Sequence, residues 1–132
     1  MKKLIFLSTC CAAIVLLTQC TNPTKKKLEG IWRLQIMKVD STVLSGPALG
    51  DWKWEFNEAD GYLTDIAGAR EKGFYSVKGD QLTLKSITNK ERPEQTLVIN
   101  HIDSLQLDLT TSDKKSIMHF LKLKEKDLEE KD

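Results

Sequence analysis

The chain has 132 residues, of which 20 are Lys or Arg and 19 are Asp or Glu, with 40% apolar and 30% charged residues. That composition describes one globular domain and excludes collagenous and low-complexity chains. A formal net charge of +1, with no basic run longer than Lys25-Lys26-Lys27, argues against a nucleic-acid binder, which needs a basic face to displace counterions.

Residues 1–20, MKKLIFLSTCCAAIVLLTQC, join two lysines to an uncharged stretch from Leu4 to Leu17 and a short polar exit. This is the layout of an export signal. The stretch is shorter than the roughly 20 apolar residues a spanning helix needs, and Ser8, Thr9, Cys10 and Cys11 soften it further. Leu17-Thr18-Gln19-Cys20 resembles the lipobox of bacterial lipoproteins, with Gln19 where those proteins usually have Gly, Ala or Ser. The resemblance implies that residues 1–19 are removed and that Cys20 becomes the first mature residue, carrying acyl chains such as palmitate. All three cysteines lie at or before position 20, so an unacylated Cys20 would be an unpaired thiol in an oxidising compartment. By the sorting pattern of enterobacterial lipoproteins, Thr21 in place of Asp implies a protein of the bacterial cell envelope, anchored in the outer membrane and facing the periplasm. Lys2 and Lys3 leave with the signal, so the mature chain carries 18 basic and 19 acidic residues and no disulfide. Residues 20–29 are expected to be the lipidated cysteine and an extended tether in which Pro23 blocks regular structure. Lys25 to Lys27 would either favour anionic head groups or keep the tether solvated.

From Gly30 the dominant signal is period-two alternation broken by Gly, Asp, Asn, Ser and Pro, the pattern of an all-β domain. A first strand is expected from Ile31 to about Asp40, with a bulge where Met37 and Val39 shift the phase. Ser41 to Asp51, with Gly46, Pro47 and Gly50, reads as the longest loop. Trp52 to Asn57 is the cleanest strand, with Trp52, Trp54 and Phe56 on one face and Lys53 and Glu55 on the other. After an Asp60-Gly61 turn, strands are expected at Tyr62–Ala67, Gly73–Lys78 and Gln81–Ile87, separated by turns at Gly68–Lys72 and Gly79-Asp80. Thr88 to Pro93 is a polar turn. Strands from about Glu94 to Ile102, Leu105 to Thr110 and Ser116 to Leu123 complete the set, and residues 125–132 form a charged tail. Short turns impose antiparallel neighbours, and eight meandering strands hide their edges by closing. The fold expected for residues 30–124 is therefore an all-β, eight-stranded antiparallel up-and-down barrel, closed or strongly curled, with Trp32, Leu34, Trp54, Phe56, Leu84, Ile99 and Leu107 inside.

Leu28-Glu29-Gly30-Ile31-Trp32 resembles the G-x-W motif that opens the first strand of lipocalins, with Gly30 and Trp32 at the matching positions. Gly73 to Leu84 and Leu105-Gln106-Leu107 are similar to the bacterial lipocalin-like lipoproteins, so the resemblance covers nearly the whole mature domain. It implies a small eight-stranded barrel in which Trp32 closes one end. Two elements of true lipocalins are absent: Thr64-Asp65 is followed by Ile66 where a T-D-Y element is usual, and no arginine follows Arg92 to pack over Trp32. Lys122 and Lys124 are poor planar substitutes for that arginine.

The candidate ligand-binding residues are Trp32, Trp52, Trp54 and Phe56, which could line a pocket or simply form the core. The rim of such a pocket is expected in the Ser41–Asp51 loop. His101 and His119 fall on strands separated by a third, with His101 sharing a face with Leu97 and Ile99, and no metal site is expected. Catalytic motifs and phosphate loops are missing, and Asp51, Glu55, Asp65 and Glu71 scatter over outward faces and turns, so neither an enzyme nor a cofactor is expected. Two functions remain open: non-enzymatic binding of a small apolar or amphipathic ligand, and a solid-core module that docks an envelope protein. In both, the other partner is the membrane, through the lipid anchor.

Overall fold

A computed structural model describes residues 22–124; the signal expected at 1–19, Cys20 and the charged tail expected at 125–132 lie outside the described residues. The described part opens with helix α1 (Pro23–Leu28), not with the extended tether expected there. Pro23 sits at the first helical position, where its missing N–H costs nothing and its fixed φ suits the helix. Asn22 caps the end, its Oδ1 accepting from the Thr24 amide at 3.0 Å.

Nine strands follow: β1 (Gly30–Val39), β2 (Thr42–Ser45), β3 (Trp52–Phe56), β4 (Gly61–Ile66), β5 (Ala69–Lys78), β6 (Gln81–Ser86), β7 (Gln95–Ile102), β8 (Gln106–Thr111) and β9 (Ser116–Lys122). All pairings are antiparallel, and β1 pairs with β9 to close the sheet. The result is an eight-stranded barrel plus one extra strand, β2. One edge of β1 runs along β9, while the other is shared, Gly30–Arg33 pairing with β3 and Ile36–Val39 with β2. The Ser41–Asp51 segment is thus not all loop: β1 is twice as long as β3, and the chain folds back as β2 to satisfy the overhang. β5 likewise starts at Ala69, so the turn expected at Gly68–Lys72 shrinks to Ala67-Gly68, both at positive φ. The irregularity in β1 lies at Gln35, between Leu34 and Ile36 in its pairing with β9, and not at Met37 and Val39.

Inward positions form one core. Trp32, Leu34, Trp54, Phe56, Leu84, Ile99 and Leu107 are all buried in it, as alternation requires. An aromatic column runs up the interior: Trp54 packs on Phe120 with centroids 5.1 Å apart, and Phe56 meets Tyr75 edge-on at 5.0 Å. Leu105, expected as the first residue of a strand, lies instead on the β7–β8 turn and is exposed.

Tyr75 supplies a pH signature. Its hydroxyl donates to the Asn57 carbonyl at 2.8 Å. Burial first, then the Glu29 and Asp60 carboxylates, pushes its pKa up to about 12. An unfolded tyrosine ionises near 10, so this contribution is complete below about pH 10 and is lost as pH rises toward about 12, by up to about 3 kcal/mol. Urea midpoints measured at about pH 9 and about pH 12 are therefore expected to fall more in the wild type than in Tyr75→Phe.

Candidate functional site

One end of the barrel is shut. Leu28 of α1 is fully buried, and its carbonyl accepts from the Trp32 indole N–H at 2.8 Å. Lys122 pairs across from Trp32 and lays its ammonium 5.4 Å from the ring centroid. Lys122, expected to be a poor planar substitute for the missing arginine, covers this tryptophan through its aliphatic stem and its charge. Gly30 makes room for it: φ is +133°, and a Cβ would lie 2.6 Å from Lys122 Cε.

The other end holds a cavity of about 200 Å³ that opens to solvent. Its apolar wall comes from Met37, Trp52, Trp54, Leu84, Leu97 and Met118, and its polar wall includes Thr64, Gln95, Thr111 and Ser116. Glu71 and Arg92 stand at its mouth. Arg92 Nη1 donates to both Glu71 oxygens, at 2.8 and 3.0 Å, and the Tyr62 hydroxyl lies 3.5 Å from Glu71 Oε2. Burial and then the Glu71 charge raise the Tyr62 pKa above its ordinary value. Thr64, Ile66, Glu71 and Arg92 also line a shallower outer groove of about 350 Å³, so the ion pair marks the boundary between interior and vestibule. The indole N–H of Trp54 is buried in this wall and has no hydrogen-bond partner among the described residues.

Of the four candidate residues, Trp52 and Trp54 line the cavity, whereas Trp32 and Phe56 do not. Trp32 belongs to the closed end and Phe56 to the core between. The rim is not the Ser41–Asp51 loop, none of whose residues lines the cavity; it is built by Glu71, Arg92, Thr111 and Ser116. Glu71 is also not on an outward face: its side chain is 18% exposed and shares the inward phase of Gly73 and Tyr75. That phase was the signal for Glu71; Arg92, in the irregular β6–β7 connection, had none.

His101 does not share a face with Leu97 and Ile99, because a register shift at Asn100 turns it outward. It then flanks Asp108 on β8, with His119 on the far side in the same row. His101 Nε2 meets Asp103 Oδ2 at 2.7 Å, and His119 Nδ1 pairs with Asp108. The His101 bond, followed by the Leu105 and Gln106 amides, holds Asp103 down to about 2. Among the described residues, no group of three or more His, Cys, Asp or Glu could hold a metal ion.

No family model matches the chain, and no curated protein is similar to it. Its similarities lie in shape. A lipocalin-like protein from Bacteroides uniformis matches with a TM-score of 0.60 at 18% identity, over 74% of this chain and 99% of its own. The chain has a lipocalin-like fold. An uncharacterised protein from Bacteroides eggerthii matches this barrel with a TM-score of 0.61 at 13% identity, over 73% of this chain and 99% of its own. A DUF4847 family protein from Bacteroides vulgatus matches with 0.53 at 11% identity, over 71% and 92%. These likenesses concern the lipocalin-like barrel alone.

Proposed function

We propose that this lipocalin-like protein is anchored by acylated Cys20 to a bacterial envelope membrane, in the outer membrane facing the periplasm, and binds a small amphipathic molecule without transforming it. The observation that carries the binding reading is the half-open cavity. Its volume of about 200 Å³ falls below the roughly 300 Å³ at which drug-sized sites begin, which favours a short apolar moiety inside and a polar group at the mouth. A buried donor left unpaired costs about 1–3 kcal/mol, so an acceptor on the ligand that reached the Trp54 N–H would recover stability on binding. Arg92 uses only Nη1 on Glu71 and keeps further donors for a polar head.

Titration of the protein's tryptophan fluorescence with anilinonaphthalene sulfonate and with medium-chain fatty acids and alcohols tests this. A saturable change is expected. Met118→Trp, which fills the cavity, should abolish it, and Trp54→Phe, which removes the donor together with part of the ring, should weaken it roughly 5- to 10-fold. No saturable response, or an equal response from folded Met118→Trp, would refute the proposal. The second reading, a docking module, draws on Ile36, Ile117 and Leu121, which are exposed on the outer faces of β1 and β9. It gains if an envelope protein crosslinks to the wild type and not to Ile117→Asp.

A further inference from the structure

We infer that the α1 end of the barrel rests on the membrane surface and that the cavity mouth points away from it, into the aqueous compartment. The inference depends on the acylation of Cys20 proposed above and adds to it an orientation. Only Thr21 separates Cys20 from Asn22. Two residue steps reach at most about 7 Å, so whatever holds Cys20 in a bilayer holds Asn22 at its surface.

Asn22 is not on a free linker. Its Nδ2 donates to the Val77 carbonyl at 3.3 Å, where β5 approaches its turn into β6. Three residues on, Lys25 pairs with Asp60 and lies 5.9 Å from the Tyr75 ring centroid. Leu28 is buried and bonded to Trp32. Helix α1 is thus fastened to the barrel at three places, and the anchor leads directly into the closed end.

The mouth is at the opposite end. β1 starts at Gly30 beside Lys122 and ends beyond Met37, which lines the cavity. Its ten residues extend about 30 Å, and the tilt of strands in a small barrel leaves about 20–25 Å of that along the axis. The mouth therefore stands that far from the bilayer.

The surface facing the membrane suits it. Lys26 and Lys27 are exposed and free of the Asp60 pair that occupies Lys25, and exposed basic side chains are drawn to anionic head groups. At the same closed end, Leu105 is 54% exposed on the β7–β8 turn, and its carbonyl accepts from the Lys122 amide at 2.8 Å. An exposed apolar tip and exposed lysines on one end of the barrel are the chemistry of an interfacial contact. A ligand would then enter this barrel from water and not by lateral transfer from the leaflet that holds the anchor.

Residues 21–132 contain no cysteine, and an acylated Cys20 does not react with thiol reagents, so single introduced cysteines report position. Ser104→Cys places a fluorescent label on the β7–β8 turn at the closed end, and Ser112→Cys places one on the β8–β9 turn at the mouth. The full protein, purified from its host envelope, is inserted in vesicles bearing a nitroxide on the lipid head group. Quenching by the nitroxide is expected to be several-fold stronger at residue 104 than at 112, with soluble iodide giving the reverse order. Equal or inverted quenching in protein that floats with the vesicles overturns the orientation and leaves the anchor intact. Should Cys20→Ser float as well as the wild type, or the Cys20 peptide carry no acyl mass, the anchor fails and the orientation falls with it.

Discussion

Trp32→Ala is expected to remove about 3–5 kcal/mol of folding stability, read as a lowered urea midpoint with an unchanged slope. The indole is fully buried, and three elements converge on it: the Leu28 carbonyl from α1, Lys122 from β9 and the pairing with Trp54 on β3. Truncation leaves a cavity at the closed end, exposes the underside of α1 and strands the Leu28 carbonyl without its donor. Domains of this kind are stable by only about 5–15 kcal/mol in total, so the variant should be largely unfolded near physiological temperature. Trp32→Phe keeps most of the packing and loses the indole hydrogen bond with part of the ring, and a smaller loss of about 1–2 kcal/mol is expected.

Gly73→Ala should be comparably damaging, at about 3 kcal/mol or more, although it adds a single methyl group. Gly73 lies directly across from Tyr62, whose ring folds over the glycine with Cε1 only 2.5 Å from where a Cβ would be. The same Cβ would run into the Lys85 carbonyl of β6. A flexible side chain could swing clear, but a ladder carbonyl cannot move without parting β5 from β6. Removing the ring as well, in Gly73→Ala/Tyr62→Ala, relieves only one of the two collisions, so the double variant should remain less stable than Tyr62→Ala alone.

Period-two alternation carried most of this fold. Trp52, Trp54 and Phe56, or Leu82 and Leu84, declare their inward face within five residues, because burial selects apolar groups at every second position. Features decided by distant neighbours were not legible. Thr42–Ser45 becomes a strand only because β1 overhangs β3, and no local pattern records the length of a partner's edge. Ala69-Arg70-Glu71-Lys72 looks like a turn by polarity, yet it pairs with Leu63–Ile66, and the inward Glu71 is compensated by Arg92 from another connection. The same limitation divided the candidate aromatics. Alternation shows that Trp32, Trp54 and Phe56 point inward but not at which height the interior is filled, and height is what separates the sealed base from the cavity.

Closure of β1 on β9 also sets a timetable for folding. Trp32 finds Lys122, and Leu34 finds Phe120, near opposite ends of the described chain. Loop-closure entropy makes such contacts late, and topologies rich in them fold slowly. Until Ser116–Lys122 has been synthesised, β1 lacks a partner along one whole edge and the barrel cannot be completed. In the exported protein proposed above, the chain would therefore still be open when the signal segment engages its channel, and the folding that seals Trp32 would be completed only after the last strand has crossed.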